Sequence, residues 1–158
     1  AGLGGGSADG AFALKALNKL FKMELSVKEL EDYALRLGAD CPFFIENSPK
    51  YVEGIGEKMM NINLDLSAYK LKFIFSDLHI STTEAYKGVI PSWPKKNLLD
   101  LINHPIENWN SIVKNDFEIL AFSKYPHLKI IKEKLYADGA IYASMTGSGS
   151  VIYGLFFS

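Results

Sequence analysis

The chain opens AGLGGGSADGAFALKALNKLF, with glycine at positions 2, 4, 5 and 6 and a helical pattern from Ser7 onward. Few arrangements use both features together. Glycine lets the backbone take positive φ and bring its N–H groups close to a neighbour. A helix start leaves its first N–H groups unpaired and carries the positive end of the helix dipole. Joined, the two make an anion site suited to a polyphosphate. Gly2-Leu3-Gly4-Gly5-Gly6 is not a Walker A loop, because no Lys-Ser/Thr pair follows the last glycine. Ser7 at the sixth position, with no strand before it, also spoils a dinucleotide-binding fingerprint. A loose terminus that happens to be glycine-rich is the lesser alternative.

Beyond Ser7, the spacing of Lys15, Asn18, Lys19 and Lys22 marks a wet helix face, with Ala8, Ala11, Phe12, Leu14 and Leu17 largely opposite. Ser26 and Glu29 form a capping box for a second helix, striped by Val27, Leu30, Ala34 and Leu37 and stopped at Gly38. Pro42 then breaks the periodicity, and Phe43 to Ile45 read as a short buried strand. YVEGIGEKMMNINL reads as a hairpin with glycines at its bend, and LKFIF as a strand. Ser81 with Glu84 suggests another capped helix. Residues 91–125 carry Pro, Asn and His breaks with short helical pieces between them. Pro126 opens a clear helix that Gly139 closes, with Lys129, Lys132, Glu133 and Tyr136 as its wet stripe. AIYASM and VIYGLFF read as strands, and the unbroken apolar run of the second predicts a central position.

Two further stretches hold candidate chemistry. In GADCPFF, Asp40 precedes Cys41, Pro42 and two phenylalanines, a setting expected to desolvate the carboxylate partly and favour its taking up a proton. Taken in isolation, an aspartate here more often caps a turn or pairs with a buried cation. Thr146-Gly147-Ser148-Gly149-Ser150 joins the last two strands as a hairpin would, yet five small residues exceed what a tight turn needs and leave room for a close approach. The formal net charge is -1 with no Lys/Arg cluster, which argues against a nucleic-acid surface and leaves a small anionic substrate open. Cys41 is the only cysteine, so no internal disulfide or cysteine-rich metal site can form, and a cytoplasmic setting is expected. Apolar runs fall short of a membrane span.

GLGGGSADGA, GADCPFF and MTGSGS, in that order and with GIGE, ISTTEAYKGV and NDFE between them, resemble the GHMP kinase superfamily of small-molecule kinases across essentially the whole chain. GADCPFF, STTEAY and NDFE resemble most the branch that phosphorylates 4-diphosphocytidyl-2-C-methyl-D-erythritol in non-mevalonate isoprenoid synthesis. The resemblance implies an α+β fold. Residues 1–67 would be the remainder of an N-terminal, ATP-binding domain like ribosomal protein S5 domain 2, and 68–158 a ferredoxin-like C-terminal domain. It implies that Gly2, Leu3, Gly4, Gly5, Gly6, Ser7 and Ala8 wrap the ATP phosphates, with the Ser7 hydroxyl near Mg²⁺. Asp40 matches the catalytic aspartate, the base for the 2-hydroxyl. Gly147, Ser148 and Gly149 match the motif that supports the phosphate loop, while Ser81 and Thr82 match a segment near the same cleft. Asp9 falls at a structural position.

The departures carry expectations too. Family members have a segment ahead of the glycine loop, with a lysine that pairs with the catalytic aspartate and much of both nucleobase pockets. Gly10 stands where alanine is more usual, and the last strand stops early. The chain is therefore expected to be a fragment, inactive by itself, with apolar helix faces such as those of Phe12 and Leu17 uncovered. A non-catalytic anion-binding module, or a GHMP kinase of the homoserine or mevalonate type, would share most of these features.

Overall fold

The computed structural model describes residues 2–56, 58–92 and 96–158. These divide into two compact units, one from Gly4 to Asp65 and one from Leu66 to Ser158 with Gly2 and Leu3. In the first unit, α1 (Gly5–Leu20) and α2 (Val27–Leu37) are followed by a single turn, α3 (Phe43–Glu46), and an antiparallel hairpin of β1 (Lys50–Glu53) and β2 (Lys58–Asn61).

Polar clamps set the path of the chain between the helices. The Asn18 side chain donates to the Leu25 carbonyl at 3.1 Å and accepts from its N–H at 3.0 Å, fixing the link from α1 to α2. The Ser26–Glu29 capping box forms with both of its reciprocal bonds, as its spacing predicts. A small core of Ala11, Leu30, Ala34, Cys41 and Ile45 lies between the three helices. Lys50, nearly buried, pairs with Glu46 and donates to the Asn61 side chain, tying the hairpin to α3.

Three expectations for this unit change. Helix α1 begins at Gly5, so Ser7 is its third residue rather than its start. Lys15 and Asn18, expected on its wet face, pack beside Ala11, while Phe12 and Leu17 stay 49% and 45% exposed, as expected of an uncovered apolar face. The Lys15 ammonium reaches the end of α3, donating to the Ile45 carbonyl at 2.9 Å, so the long stem covers apolar surface while its charge finds an acceptor. Phe43 to Ile45 are helical rather than extended. Pro42, at φ -58° and ψ -34°, starts a turn instead of ending one.

The second unit contains β3 (Tyr69–Ile74), α4 (Thr82–Lys87), α5 (Leu98–Ile102), α6 (Ile106–Ile112), α7 (Phe117–Lys124), α8 (Pro126–Ala137), β4 (Tyr142–Met145) and β5 (Ile152–Phe157). Its sheet runs β3-β5-β4, all antiparallel, so the apolar last strand is central as predicted. Register places Ile74 and Met145 on either side of Ile152. Those side chains and Ala143 share a face with Ala121, Leu128 and Leu135 from α7 and α8. Full burial of a leucine such as Leu128 or Leu135 contributes about 2 kcal/mol. Residues of the predicted wet stripe of α8 turn inward here: Lys132 reaches α7, and the Tyr136 hydroxyl bonds both the carbonyl and the N–H of Ala143. Among the described residues, no helix is long and apolar enough to cross a membrane. Mixed helix and sheet is the class that was expected.

Candidate active site

The glycine stretch is divided between the units. Gly2 and Leu3 belong with residues 66–158, and Gly4 begins the other body. Gly4 takes φ +65° as the cap of α1, and a Cβ there would stand 3.0 Å from the Phe44 ring. The first intrahelical bond runs from the Ala8 N–H to the Gly4 carbonyl at 2.9 Å. The N–H groups of Gly5, Gly6 and Ser7 are therefore left without an intrahelical acceptor, at the positive end of a 16-residue helix. A Cβ on Gly5 or Gly6 would meet nothing within 4 Å. With no side chain to shield those donors, the turn offers a bare row of N–H groups, which suits phosphate oxygens.

The GADCPFF turn lies in the same unit and packs on α1. A Cβ on Gly10 would sit 3.5 Å from Leu37 and 3.8 Å from the Cys41 sulfur, so the position that departs from alanine is close to its neighbours without being overfilled. Cys41 and Pro42 are buried and hold the turn down, whereas Asp40 is exposed. The desolvation expected of Asp40 does not occur in this chain. Its neighbours Cys41 and Pro42 point into the core and leave the carboxylate outside.

In the other unit, Ser81 caps α4, accepting from the Glu84 N–H at 3.1 Å, and Thr82 is the first helical residue. Glu84 does not complete the capping box. Its carboxylate turns to Lys124 and the Tyr125 hydroxyl, and the hydrogen bond from Lys124 is the main reason its pKa falls below the usual carboxylate value. Gly147 and Gly149 adopt φ +53° and +95°. At Gly149 a Cβ would lie 2.8 Å from the Met145 sulfur and 3.1 Å from Ile80, one residue before Ser81. The loop and the start of α4 are thus neighbours. Gly2, at φ +95°, lies against the same loop: its Cβ position is 3.2 Å from the Gly149 carbonyl, and the Thr146 hydroxyl donates to the Gly2 carbonyl at 2.5 Å.

NDFE has no evident task in the sequence, and the structure supplies one. The Asn115 amide donates to the carbonyls of Met145 at 2.7 Å and Gly147 at 2.8 Å. Glu118, buried on α7, accepts from the Met145 N–H at 2.8 Å and the Ser144 hydroxyl at 3.1 Å, and pairs with Lys132 at 2.6 Å. The signal lay in a glutamate set among Phe117, Ile119 and Leu120, where an unpaired charge would be costly. Among the described residues, no group of three or more His, Cys, Asp and Glu side chains could hold a metal ion.

Residues 1–47 match the model for the GHMP kinases N terminal domain, and residues 95–158 match that for the GHMP kinases C terminal region. A 4-diphosphocytidyl-2-C-methyl-D-erythritol kinase of Azobacteroides pseudotrichonymphae is 50% identical over 99% of this chain and 59% of its own length. One of the same name from Bacteroides fragilis is 47% identical, over 99% and 57%. A crystal structure of 4-(cytidine 5'-diphospho)-2C-methyl-D-erythritol kinase superposes with a TM-score of 0.80 at 31% identity, covering 98% of this chain and 57% of that one. The chain thus spans a little under three fifths of the length of the curated relatives it matches. With both family models matched in order and the fold shared, the chain belongs to the GHMP kinases.

Proposed function

We propose that the whole protein is an ATP-dependent kinase that phosphorylates the 2-hydroxyl of 4-diphosphocytidyl-2-C-methyl-D-erythritol in isoprenoid biosynthesis. One observation carries the reading: the bare first turn of α1 and the exposed Asp40 carboxylate are built into one unit, with Phe44 and Cys41 packing the second motif onto the first. The names of the relatives supply the substrate. In this reading residues 1–67 are the remainder of the nucleotide-binding domain and 68–158 the C-terminal domain, in a cytoplasmic enzyme.

Catalysis is then positioning plus charge stabilisation. The N–H groups of Gly5, Gly6 and Ser7 hold the triphosphate, and Gly4 supplies the left-handed turn that aims them. Gly147, Ser148 and Gly149 act through Gly2, fixing the residue from which the chain enters this loop. Ser81 and Thr82 border the same motif through Ile80. Asp40 orients the acceptor hydroxyl and takes its proton as that oxygen bonds to the γ-phosphorus and the bond to the departing ADP oxygen breaks. The described residues offer no cage for a bare cation, but the Ser7 hydroxyl beside a bound triphosphate suits Mg²⁺ held mainly by phosphate oxygens. When bound, the ion neutralises charge on those oxygens.

The test is turnover of the full-length protein with ATP and the cytidine substrate, alongside homoserine and mevalonate. Asp40→Asn should lower turnover by about a hundredfold or more while leaving the melting temperature alone, since the side chain is exposed. Near wild-type turnover in that variant, or preference for another alcohol, would overturn the assignment.

A further inference from the structure

The Thr146–Ser150 loop has an unusual backbone. Gly147 and Gly149 both sit at positive φ, in conformations that a glycine-rich segment does not hold unaided. The Gly149 N–H closes the turn on the Thr146 carbonyl, and side chains of NDFE hold the start of the loop. One side-chain amide, that of Asn115, bridges the carbonyls of Met145 and Gly147 across the start of the loop. Its oxygen accepts from the Phe117 N–H at 3.0 Å, which settles which end of the amide faces the loop. Glu118, one helical turn further on, accepts from the N–H of Met145, and Lys132 neutralises it. The Met145 backbone is therefore gripped on both sides of its Cα, at its N–H and at its carbonyl, by two side chains of one short motif. Just beyond, Thr146 carries the connection on to Gly2.

We infer that Asn115 and Glu118 are positioning residues for nucleotide binding. They set the backbone of the third glycine motif, and through Thr146 and Gly2 the lead into the phosphate loop. The inference rests on the kinase reading above and deepens it, because it assigns control of ATP affinity to side chains on α7 and the turn before it. Its chemistry is specific. Asn115 must donate twice to carbonyl oxygens, which an amide does and a carboxylate of the same size cannot. Asn115→Asp would turn two attractions into two repulsions with no change in volume.

Full-length wild-type protein is assayed first; absence of turnover on the cytidine substrate refutes the kinase reading itself. Given wild-type turnover, Asn115→Asp is compared with Leu128→Ala, which destabilises the same unit from a core position outside both the loop and NDFE. The KM for ATP should rise by about tenfold or more in Asn115→Asp and by less than about twofold in Leu128→Ala, at a temperature where both are folded. The KM for the cytidine substrate should change much less. Asn115→Gln, which keeps the two donors on a longer arm, should recover part of the loss. If Asn115→Asp does not accumulate folded, Glu118→Gln is judged by the same ratio of KM values. An ATP KM within twofold of wild type, or an equal rise in Leu128→Ala, overturns the inference.

Discussion

Gly6→Ala separates two demands that the first turn of α1 places on the same atom. Gly6 is the second residue of a regular helix, and apart from the helix's own backbone nothing lies within 4 Å of its Cβ position. Folding alone would therefore prefer alanine, because glycine within a helix gives up more backbone freedom than any other residue. Near a helix end the gain is at the low end of the range, about 0.5 kcal/mol. For a protein of this size that raises the melting temperature by about 1–2 °C. Triphosphate binding asks the opposite. A methyl group on the outer side of the turn stands where phosphate oxygens would approach the N–H groups of Gly5, Gly6 and Ser7. Loss of one or two such charge-assisted bonds raises the KM for ATP by about tenfold or more. The assay pairs thermal denaturation with ATP titration of the same preparation. A variant more stable than wild type yet weak for ATP supports the phosphate-loop reading. Unchanged ATP affinity would refute it, since the glycine would then serve neither folding nor binding.

Two more outcomes follow from geometry already described. Gly149→Ala places a methyl group 2.8 Å from the Met145 sulfur at a φ of +95°, so strain and overpacking together should cost about 2–4 kcal/mol, read by denaturant unfolding; a loss below 1 kcal/mol would refute the close packing of this loop. The Glu29 pKa lies below 4.5 chiefly because the Ser26 hydroxyl donates to its carboxylate, and next because the Ser26 N–H does. A depressed folded-state value stabilises above the unfolded pKa and ceases to as pH falls through the folded one. The melting-temperature difference between wild type and Glu29→Gln should accordingly be positive at pH 7 and narrow at pH 3, and a constant difference would contradict the capping box.

Local chemistry with a short reach was readable from the sequence. The Ser26 box, Pro126 at the first turn of α8, the Gly139 stop and the central place of β5 all depend on neighbours a few residues away or on one unbroken apolar run. Failures came where a partner far along the chain decided the outcome. Lys15 looks like part of a solvated stripe until Ile45, 30 residues on, supplies its acceptor. Lys132 looks exposed until Glu118 arrives from α7. Asp40 lies in a turn, and apolar neighbours in sequence do not bury a side chain that points the other way. The support given by Asn115 and Glu118 was illegible for the same reason: its bonds span 26 to 32 residues.

Strand β5 has a consequence for how the chain comes into being. Tyr69–Ile74 pairs only with Ile152–Phe157 in this sheet, and Tyr142–Met145 does the same. During synthesis, β3 leaves the ribosome with its partner still untranslated for nearly eighty residues, and β4 has nothing to pair with until the next turn is made. Helices α4 to α8 emerge in the interval with their apolar faces waiting for a sheet that does not yet exist. The β3-β5-β4 sheet thus waits for β5 rather than growing outward from β3. A stop codon just before Ile152 would erase the entire sheet instead of trimming one edge, leaving a nascent product for chaperones or proteases to claim.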